Sequence, residues 1–207
     1  ESRSVIPTVQ MPADLSHPDQ ADLVVMPYIP SINGYDLFAR PQEITDWGIF
    51  QAMQGLSWEQ SMQLLQKVAV ALASLHTNKL SWGEAILQNV VFTPEKVPLW
   101  VDAEMAYRNM TWEREQATDV RNLAVSSLGS FANGDRHSFD QDEVLHTLLT
   151  VQSAEVLTDL DRLCAEQMDW RQARVFEHFG KYRLGAKNRA HFEDCKVAIR
   201  GKLKELL

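Results

Sequence analysis

The stretch that decides the fold runs from residue 57 to residue 102 and reads SWEQSMQLLQKVAVALASLHTNKLSWGEAILQNVVFTPEKVPLWVD. It opens with Ser57, and Gln60 follows three residues later, which is the capping-box pattern of a helix N-terminus. Apolar residues then recur at helical spacing, at Leu64, Leu65, Val68, Ala71, Leu72 and Leu75. The pattern predicts one long helix with a buried apolar face.

Two short apolar runs follow this helix. Val90–Phe92 and residues 99–101 are rich in β-branched and aromatic side chains, and the turn-forming residues 93–96 lie between them. We therefore predict two short strands joined by a turn.

Polar residues stand at the open end of this predicted hairpin. Asn89 directly precedes the first strand and Asp102 directly follows the second. Amide and carboxylate oxygens are ligands that Mg²⁺ accepts, and phosphates and water complete its octahedral shell. Glu84, on the loop before the first strand, carries a carboxylate that can accept a proton from an attacking hydroxyl. Two interpretations follow: these residues position a phosphate-bearing ligand, or Asn89 and Asp102 are turn residues that cap the hairpin and Glu84 is a structural residue of the loop.

The segment around Glu84 resembles the protein-kinase-like superfamily, in particular its aminoglycoside phosphotransferase and lipopolysaccharide kinase branches. In that family a helix ending in Leu-His leads to a catalytic Asp, then to an Asn five residues later and to a metal-binding Asp on the next strand. Here Leu75-His76 ends the helix, and Glu84 occupies the catalytic position. Asn89 and Asp102 match the other two positions. The resemblance implies ATP and Mg²⁺ as cofactors, with Glu84 as catalytic residue and Asn89 and Asp102 as metal ligands.

The resemblance extends to both sides of this core. The apolar run that ends at Met26 looks like the last strand of a small lobe, and the hinge that follows would place Met26, Tyr28 and Ile29 against adenine. Gly34 would begin the next helix. Asp119 lies in a segment that resembles the buried, Asp-led helix that braces the catalytic loop in this family.

Two regions follow from this interpretation. Residues 1–30 would be a β-ribbon that forms the end of the small lobe and the hinge, and residues 31–207 a helical large lobe whose C-terminus is basic from about residue 171. The predicted fold class is α+β and mainly helical, a protein-kinase-like C-terminal lobe with a short ribbon from the N-terminal lobe. We predict helices beyond Thr118, with breaks at Gly129, Gly134, Gly180 and Gly185.

Several positions depart from the family pattern. Trp82 stands where His is usual, Glu84 replaces the catalytic Asp, and Asp102-Ala103-Glu104 replaces Asp-Phe-Gly. We expect Trp82 to be a packed aromatic residue.

The glycine-rich loop, the strand Lys and the Glu-bearing helix of the family's small lobe do not precede residue 5 in the sequence. Either these parts lie upstream in a longer natural chain, or the chain does not bind nucleotide in the usual way. These departures favour a pseudokinase or a binding and regulatory module. One alternative is an active small-molecule or protein kinase that transfers the γ-phosphoryl of ATP to a hydroxyl, and a second is an unrelated helical adaptor.

Charge is unevenly spread along the 207 residues, whose formal net charge is −8. Residues 171–207 hold ten of the twenty Lys and Arg and four of the 28 Asp and Glu, so this part is +6 and the rest is −14. The acidic main body argues against nucleic acid as a partner. We expect the basic C-terminal helices mainly to neutralise the acidic body, and docking of a protein partner is the alternative.

The distribution of apolar residues and of cysteines bears on membrane insertion, cellular location and metal binding. No run of about 18 apolar residues occurs, so we predict no membrane span and a cytoplasmic protein. The two cysteines, Cys164 and Cys195, show no metal-ligand spacing, and we interpret both as packing residues.

Overall fold

The computed structural model describes residues 30–39, 44, 47–102, 111–133, 139–166 and 187–207. These residues are mainly helical with a small three-stranded antiparallel sheet, which confirms the predicted class of a mostly helical α+β protein. The elements are β1 (Ile32–Asn33), α1 (Gly34–Ala39), α2 (Trp47–Phe50), α3 (Trp58–Thr77), β2 (Val90–Phe92), β3 (Pro98–Trp100), α4 (Trp112–Asn133), α5 (Gln141–Leu149), α6 (Ala154–Ala165) and α7 (Lys187–Leu206), with 3₁₀ turns at Gln51–Met53 and Leu87–Asn89. Within the described ranges, no helix is both long and apolar enough to cross a lipid bilayer.

Helix α3 begins where the sequence predicted. The Ser57 hydroxyl accepts a hydrogen bond from the Gln60 backbone N–H at 3.1 Å, and the Gln60 side chain accepts one from the Ser57 N–H at 2.9 Å. This reciprocal box satisfies two N–H groups that would otherwise lack partners at the helix start. Leu65, Val68 and Leu72 are fully buried, so the predicted apolar face is the core face.

The predicted hairpin is present, with one strand shifted. β2 has the predicted bounds, and β3 spans Pro98–Trp100, one residue earlier than we expected. Pro98 can open β3 because it is the first residue of an edge strand, where a missing N–H costs little. β1 pairs with the other side of β2, with Ile32 opposite Phe92, so β2 is the central strand.

Helix α4 is the centre of the fold, since it packs against α1, α5, α6 and α7. It begins at Trp112, earlier than the helical region that we predicted from Thr118 onward. The first turns carry Glu115 and Gln116, which are polar but buried. Their side chains form hydrogen bonds with the end of α3 and the loop that follows it. The apolar pattern that marks a buried helix is therefore missing in the first turns of α4.

The predicted break at Gly129 is wrong, because α4 continues through this residue to Asn133. A glycine inside a helix costs about 1 kcal/mol relative to alanine. The buried neighbours Leu128 and Phe131 offset that cost by packing into the core. The other three predicted breaks lie outside the described residues.

Aromatic contacts join α1, the sheet and α4. The Phe38 ring stacks on Phe131 with centroids 4.7 Å apart and meets the edge of Phe92 at 5.9 Å. Helix α1 begins at Gly34, as predicted, and this residue lies so close to the sheet that an added Cβ would be 3.0 Å from the Leu87 carbonyl oxygen. A larger residue at Gly34 would therefore push α1 away from the turn that precedes β2.

The cysteines are packing residues, as predicted. Cys164 on α6 and Cys195 on α7 are both free and buried. Burial raises the pKa of the Cys164 thiol to about 11 and that of Cys195 to about 12. Both side chains are therefore protonated at neutral pH, where a thiol is a poor nucleophile.

Ion pairs join α7 to α5 and α6. Lys202 Nζ lies 2.9 Å from Asp142 Oδ2 at the start of α5, and Arg200 Nε lies 3.0 Å from Asp161 Oδ1 on α6. Within residues 190–207, these basic side chains thus neutralise acidic partners in the body of the protein. Docking of a protein partner on the basic C-terminal helices stays a prediction.

Candidate functional site

A buried carboxylate on α4 holds the loop that follows α3. Asp119 is completely buried, and its two oxygens accept the backbone N–H of Trp82 at 2.6 Å and that of Gly83 at 3.1 Å. His76 Nε2, at the end of α3, lies 3.4 Å from Asp119 Oδ2. Hydrogen bonds to a buried carboxylate are among the stronger ones in proteins. Asp119 therefore fixes the chain immediately before Glu84.

Two further α4 side chains hold the same loop. Gln116 Nε2 donates to the His76 carbonyl at 2.9 Å and to the Leu80 carbonyl at 3.2 Å. The Ser81 hydroxyl donates to Glu115 Oε2 at 2.7 Å. We call residues 76–84 the braced loop, since α4 binds it along most of its length.

The braced loop turns sharply at its end. Gly83 has φ of 96°, in a region that side chains with a Cβ rarely adopt. The Glu84 carbonyl then accepts two hydrogen bonds, one from the Ile86 N–H at 2.9 Å and one from Asn89 Nδ2 at 3.0 Å. The position of Glu84 is thus set on one side by Asp119 and on the other by Asn89. Its side chain is half-buried.

The hairpin brings Asn89 beside the residue that precedes Asp102. The Val101 N–H donates to the Asn89 carbonyl at 2.9 Å, which continues the register in which Val90 lies opposite Trp100. Asn89 is buried and donates through its amide nitrogen, so the amide oxygen is the atom that could bind a cation. The hairpin therefore places Asn89, in the turn before β2, next to the end of β3 that leads to Asp102.

Asp102 has an unusual backbone conformation. Its φ is 60°, in the left-handed region that few residues other than glycine adopt, and its side chain is exposed. Asp and Asn tolerate this region better than most residues. Lys79 and Lys96 share this conformation, so Asp102 is a candidate site residue because of its position at the end of the hairpin and not because of its backbone alone.

Trp82 packs against the hairpin, as predicted for this position. Its ring centroid lies 5.7 Å from that of Trp100, with the planes inclined at 47°. The two indole N–H groups have no hydrogen-bond partner within the described part of the chain. The pair ties the braced loop to β3 through apolar contact.

The Asn33 side chain joins the start of α1 to the turn before β2, a contact that the sequence analysis did not predict. Its Nδ2 donates to the Gln88 carbonyl at 2.5 Å, while its Oδ1 accepts the Tyr35 N–H at 2.8 Å at the start of α1. The same side chain therefore caps α1 and supports the turn that carries Asn89. The sequence signal for this capping contact was an Asn directly before a predicted helix start.

Sequence reasoning also missed Glu115 and Gln116. They lie four and three residues before Asp119, so all three side chains occupy one face of α4. A polar row at this spacing next to a predicted buried Asp was the available signal.

The structure brings some of the predicted site residues together and not others. Glu84 and Asn89 are joined by a hydrogen bond, and Asn89 is joined by its backbone to the residue before Asp102. Met26, Tyr28 and Ile29, which we predicted to contact adenine, lie outside the described residues. No group of three or more His, Cys, Asp or Glu in the described ranges is arranged to hold a metal ion without further ligands.

No family model and no curated protein matches this chain.

Proposed function

We propose that this chain is a kinase-like large lobe in degenerate form, which works as a pseudokinase or as a binding and regulatory module. The observation that carries the proposal is the hydrogen bonding of Asp119 to the backbone of Trp82 and Gly83, immediately before Glu84. The resemblance of the sequence to kinases implies a buried Asp-led helix that braces the catalytic loop. A carboxylate from α4 makes that contact here.

The donor atoms at the hairpin end suit a hard cation. The Asn89 amide oxygen and the Asp102 carboxylate would hold Mg²⁺, which typically binds one or two protein oxygens together with phosphates and water. When bound, the cation would neutralise charge on the triphosphate of ATP. Adenine contact by Met26, Tyr28 and Ile29 belongs to the same proposal.

Two features favour lost or weakened catalysis. Glu84 is one methylene longer than the Asp of the family pattern, and a displacement of about 1 Å at a reacting group can cost about 10²-fold in rate. Trp82 replaces the usual His, and its ring is packed against Trp100. This packing supports a structural use of the position.

One observation favours the active alternative. Glu84 lies on a backbone that is held from both sides, by Asp119 and by Asn89, and phosphoryl transfer depends mainly on such positioning. In that alternative Glu84 would accept the proton of a hydroxyl group as the γ-phosphoryl of ATP is transferred to it. An unrelated helical adaptor is the remaining alternative.

Nucleotide binding tests the proposal. Thermal unfolding of the natural full-length protein, measured with Mg²⁺-ATP at about 100 times its Kd, should be stabilised by about 2.7 kcal/mol. Asp102→Asn should abolish this shift, whereas the matched change Asp194→Asn on the exposed face of α7 should keep it. Absence of any shift in the unchanged protein contradicts nucleotide binding and favours the binding and regulatory module over the active kinase.

Glu84→Gln separates the pseudokinase from the active kinase. If the protein transfers phosphoryl groups, this substitution should lower turnover by about 10²–10⁴-fold while ATP binding is retained. A pseudokinase should release no ADP above background in either form. Equal turnover by both proteins excludes Glu84 as the base.

A further inference from the structure

The turn Leu87–Asn89, which carries the proposed cation ligand, is held by hydrogen bonds from several parts of the chain. At its start, the Leu87 N–H donates to the Ser126 hydroxyl of α4 at 3.1 Å. At its end, Asn89 Nδ2 donates to the Glu84 carbonyl at 3.0 Å. The middle of the turn is held by a contact from a third segment, β1.

Asn33 on β1 uses both atoms of its side-chain amide. Its Nδ2 donates to the Gln88 carbonyl at 2.5 Å, while its Oδ1 accepts the N–H of Tyr35 at 2.8 Å and that of Asp36 at 3.3 Å. The capping contact needs only an oxygen acceptor, which serine also supplies at a helix start. The contact with Gln88 needs an N–H donor. The two contacts of Asn33 can therefore be separated by substitution.

The backbone around Asn33 is fixed independently of this side chain. Asn33 lies opposite Val91 in the pairing of β1 with β2. The next residue, Gly34, is so close to the turn that an added Cβ would be 3.0 Å from the Leu87 carbonyl oxygen and 3.3 Å from that of Val90. Pairing and packing thus keep the start of α1 beside the turn when only the side chain at position 33 changes.

The Asn33 hydrogen bond holds the peptide group that joins Gln88 to Asn89. The other end of this peptide group, the Asn89 N–H, donates to the Ile86 carbonyl at 2.9 Å. Because a peptide group is planar, a hydrogen bond at its carbonyl also restricts the backbone of the following residue. Groups that orient a metal-binding side chain typically change metal affinity about 10–100-fold when they are removed.

We propose that Asn33 is a positioning residue for the cation of the Mg²⁺-nucleotide site. Its amide donor holds the peptide between Gln88 and Asn89 and so sets the direction of the Asn89 amide oxygen. Asn33 acts through Asn89 and not by contact with the nucleotide. This inference rests on the proposed function, in which Asn89 binds Mg²⁺, and it adds that one side chain couples the start of α1 to that site.

Asn33→Ser tests the inference, because serine keeps a capping oxygen but its shorter side chain ends before the Gln88 carbonyl. In calorimetric titrations of the natural full-length protein, this variant should bind Mg²⁺-ATP about 10–100-fold more weakly than the unchanged protein. Ser153→Ala is the matched control, since it removes a helix cap at the start of α6 and should leave the affinity unchanged.

ATP without metal separates positioning of the cation ligand from a general structural defect. In excess EDTA, the unchanged protein and Asn33→Ser should bind ATP equally, because Asn33 acts only at the cation. An equal loss of affinity for ATP with and without Mg²⁺ would overturn the positioning role.

A double-mutant cycle tests whether Asn33 acts through Asn89. Asn89→Ala alone should weaken Mg²⁺-ATP binding, and adding Asn33→Ser to it should cause no further loss, because two residues that act through one contact are not additive. Losses that add fully in the double variant contradict the proposed path.

Amide hydrogen exchange provides a measurement that needs no nucleotide. Asn33→Ser should speed exchange of the Asn89 N–H, since the peptide before it is less restrained, whereas Ser153→Ala should not. An unchanged exchange rate in Asn33→Ser contradicts the hold of Asn33 on the turn.

The titrations also distinguish failure of this inference from failure of the proposed function. If the unchanged protein and Asn33→Ser bind Mg²⁺-ATP equally tightly, only the role of Asn33 is overturned. If the unchanged protein binds no Mg²⁺-ATP, the nucleotide site itself is refuted, and the positioning role is refuted with it.

Discussion

The first turns of α4 contact two polar regions that differ in how completely their hydrogen bonds are satisfied. On the side of the braced loop, Asp119 accepts two hydrogen bonds from backbone N–H groups, and Gln116 donates two hydrogen bonds to backbone carbonyls. On the opposite side, where the end of α3, the first turns of α4 and the start of α6 line a cavity, Gln152 keeps an acceptor without a partner among the described residues. His76 Nε2 faces Asp119, whereas His76 Nδ1 also lacks a partner among these residues. The two regions therefore differ in how strongly their side chains hold the chain together.

Asp119→Ala should break the satisfied region most severely. It leaves the N–H groups of Trp82 and Gly83 buried without an acceptor, so we expect a loss of about 3–5 kcal/mol in the free energy of unfolding. Urea denaturation followed by circular dichroism measures this loss. The matched change Asp161→Ala removes a half-exposed ion pair with Arg200 and should cost about 1 kcal/mol or less. Equal losses in the two variants would contradict a bracing role for Asp119.

Gly83→Ala should be the next most damaging change. The residue has φ of 96°, and a Cβ in this region costs about 1–3 kcal/mol. Gly201→Ala is the control, because Gly201 is an exposed residue of α7 with open space around it, and alanine there should stabilise the protein by about 0.5–1 kcal/mol. Thermal denaturation of both variants should therefore give shifts of Tm in opposite directions. A rise of Tm for Gly83→Ala would refute the tight turn.

A matched pair of glutamines compares the two regions directly. Gln116→Met should cost about 1–2 kcal/mol, since the Leu80 carbonyl loses the Gln116 donor and the His76 carbonyl loses one of its two donors and keeps the Lys79 N–H. Gln152→Met should cost less than about 1 kcal/mol, because the hydrogen bonds from Gln152 are long and its oxygen has no partner to lose among the described residues. Chemical denaturation of the two variants under the same conditions gives the difference. The reverse order would mean that the two regions have been distinguished incorrectly.

Ser81→Ala should have the smallest effect of this series. It removes the donor to the buried Glu115 carboxylate, and we expect a loss of about 1 kcal/mol. Ser74→Ala is the matched control, since the Ser74 hydroxyl only bonds back to the Val70 carbonyl on an exposed face of α3. That change should be neutral or slightly stabilising in a thermal melt. A neutral Ser81→Ala would show that Asp119 and Gln116 suffice to hold the loop.

Local patterns made α3 and the hairpin predictable from the sequence. The box of Ser57 and Gln60 and the apolar rows of α3 are local in sequence, and so is the turn between β2 and β3. Asp119 was found because its spacing from the hairpin resembles a known family. The hydrogen bonds that Asp119 makes are consistent with the role that this resemblance implies.

The features that the sequence did not predict depend on contacts between residues that are distant in sequence. Glu115 and Gln116 share the face of α4 that carries Asp119, and their spacing shows this, but their burial depends on hydrogen bonds to the braced loop, which is distant in sequence. Gly129 stays helical because the core covers its neighbours. The cavity between α3, α4 and α6 is formed by helices that are far apart in sequence, so this cavity and the nearby unpartnered atoms of His76 and Gln152 could be recognised only from the structure.

The contact between Trp82 and Trp100 has an optical consequence. Two indole rings whose centroids are 5.7 Å apart and whose planes are inclined at 47° are close enough for their electronic transitions to couple. Such coupling gives paired bands of opposite sign in circular dichroism, which disappear when the rings separate. The native protein therefore contains an intrinsic spectroscopic reporter of whether the segment preceding Glu84 is docked on the sheet.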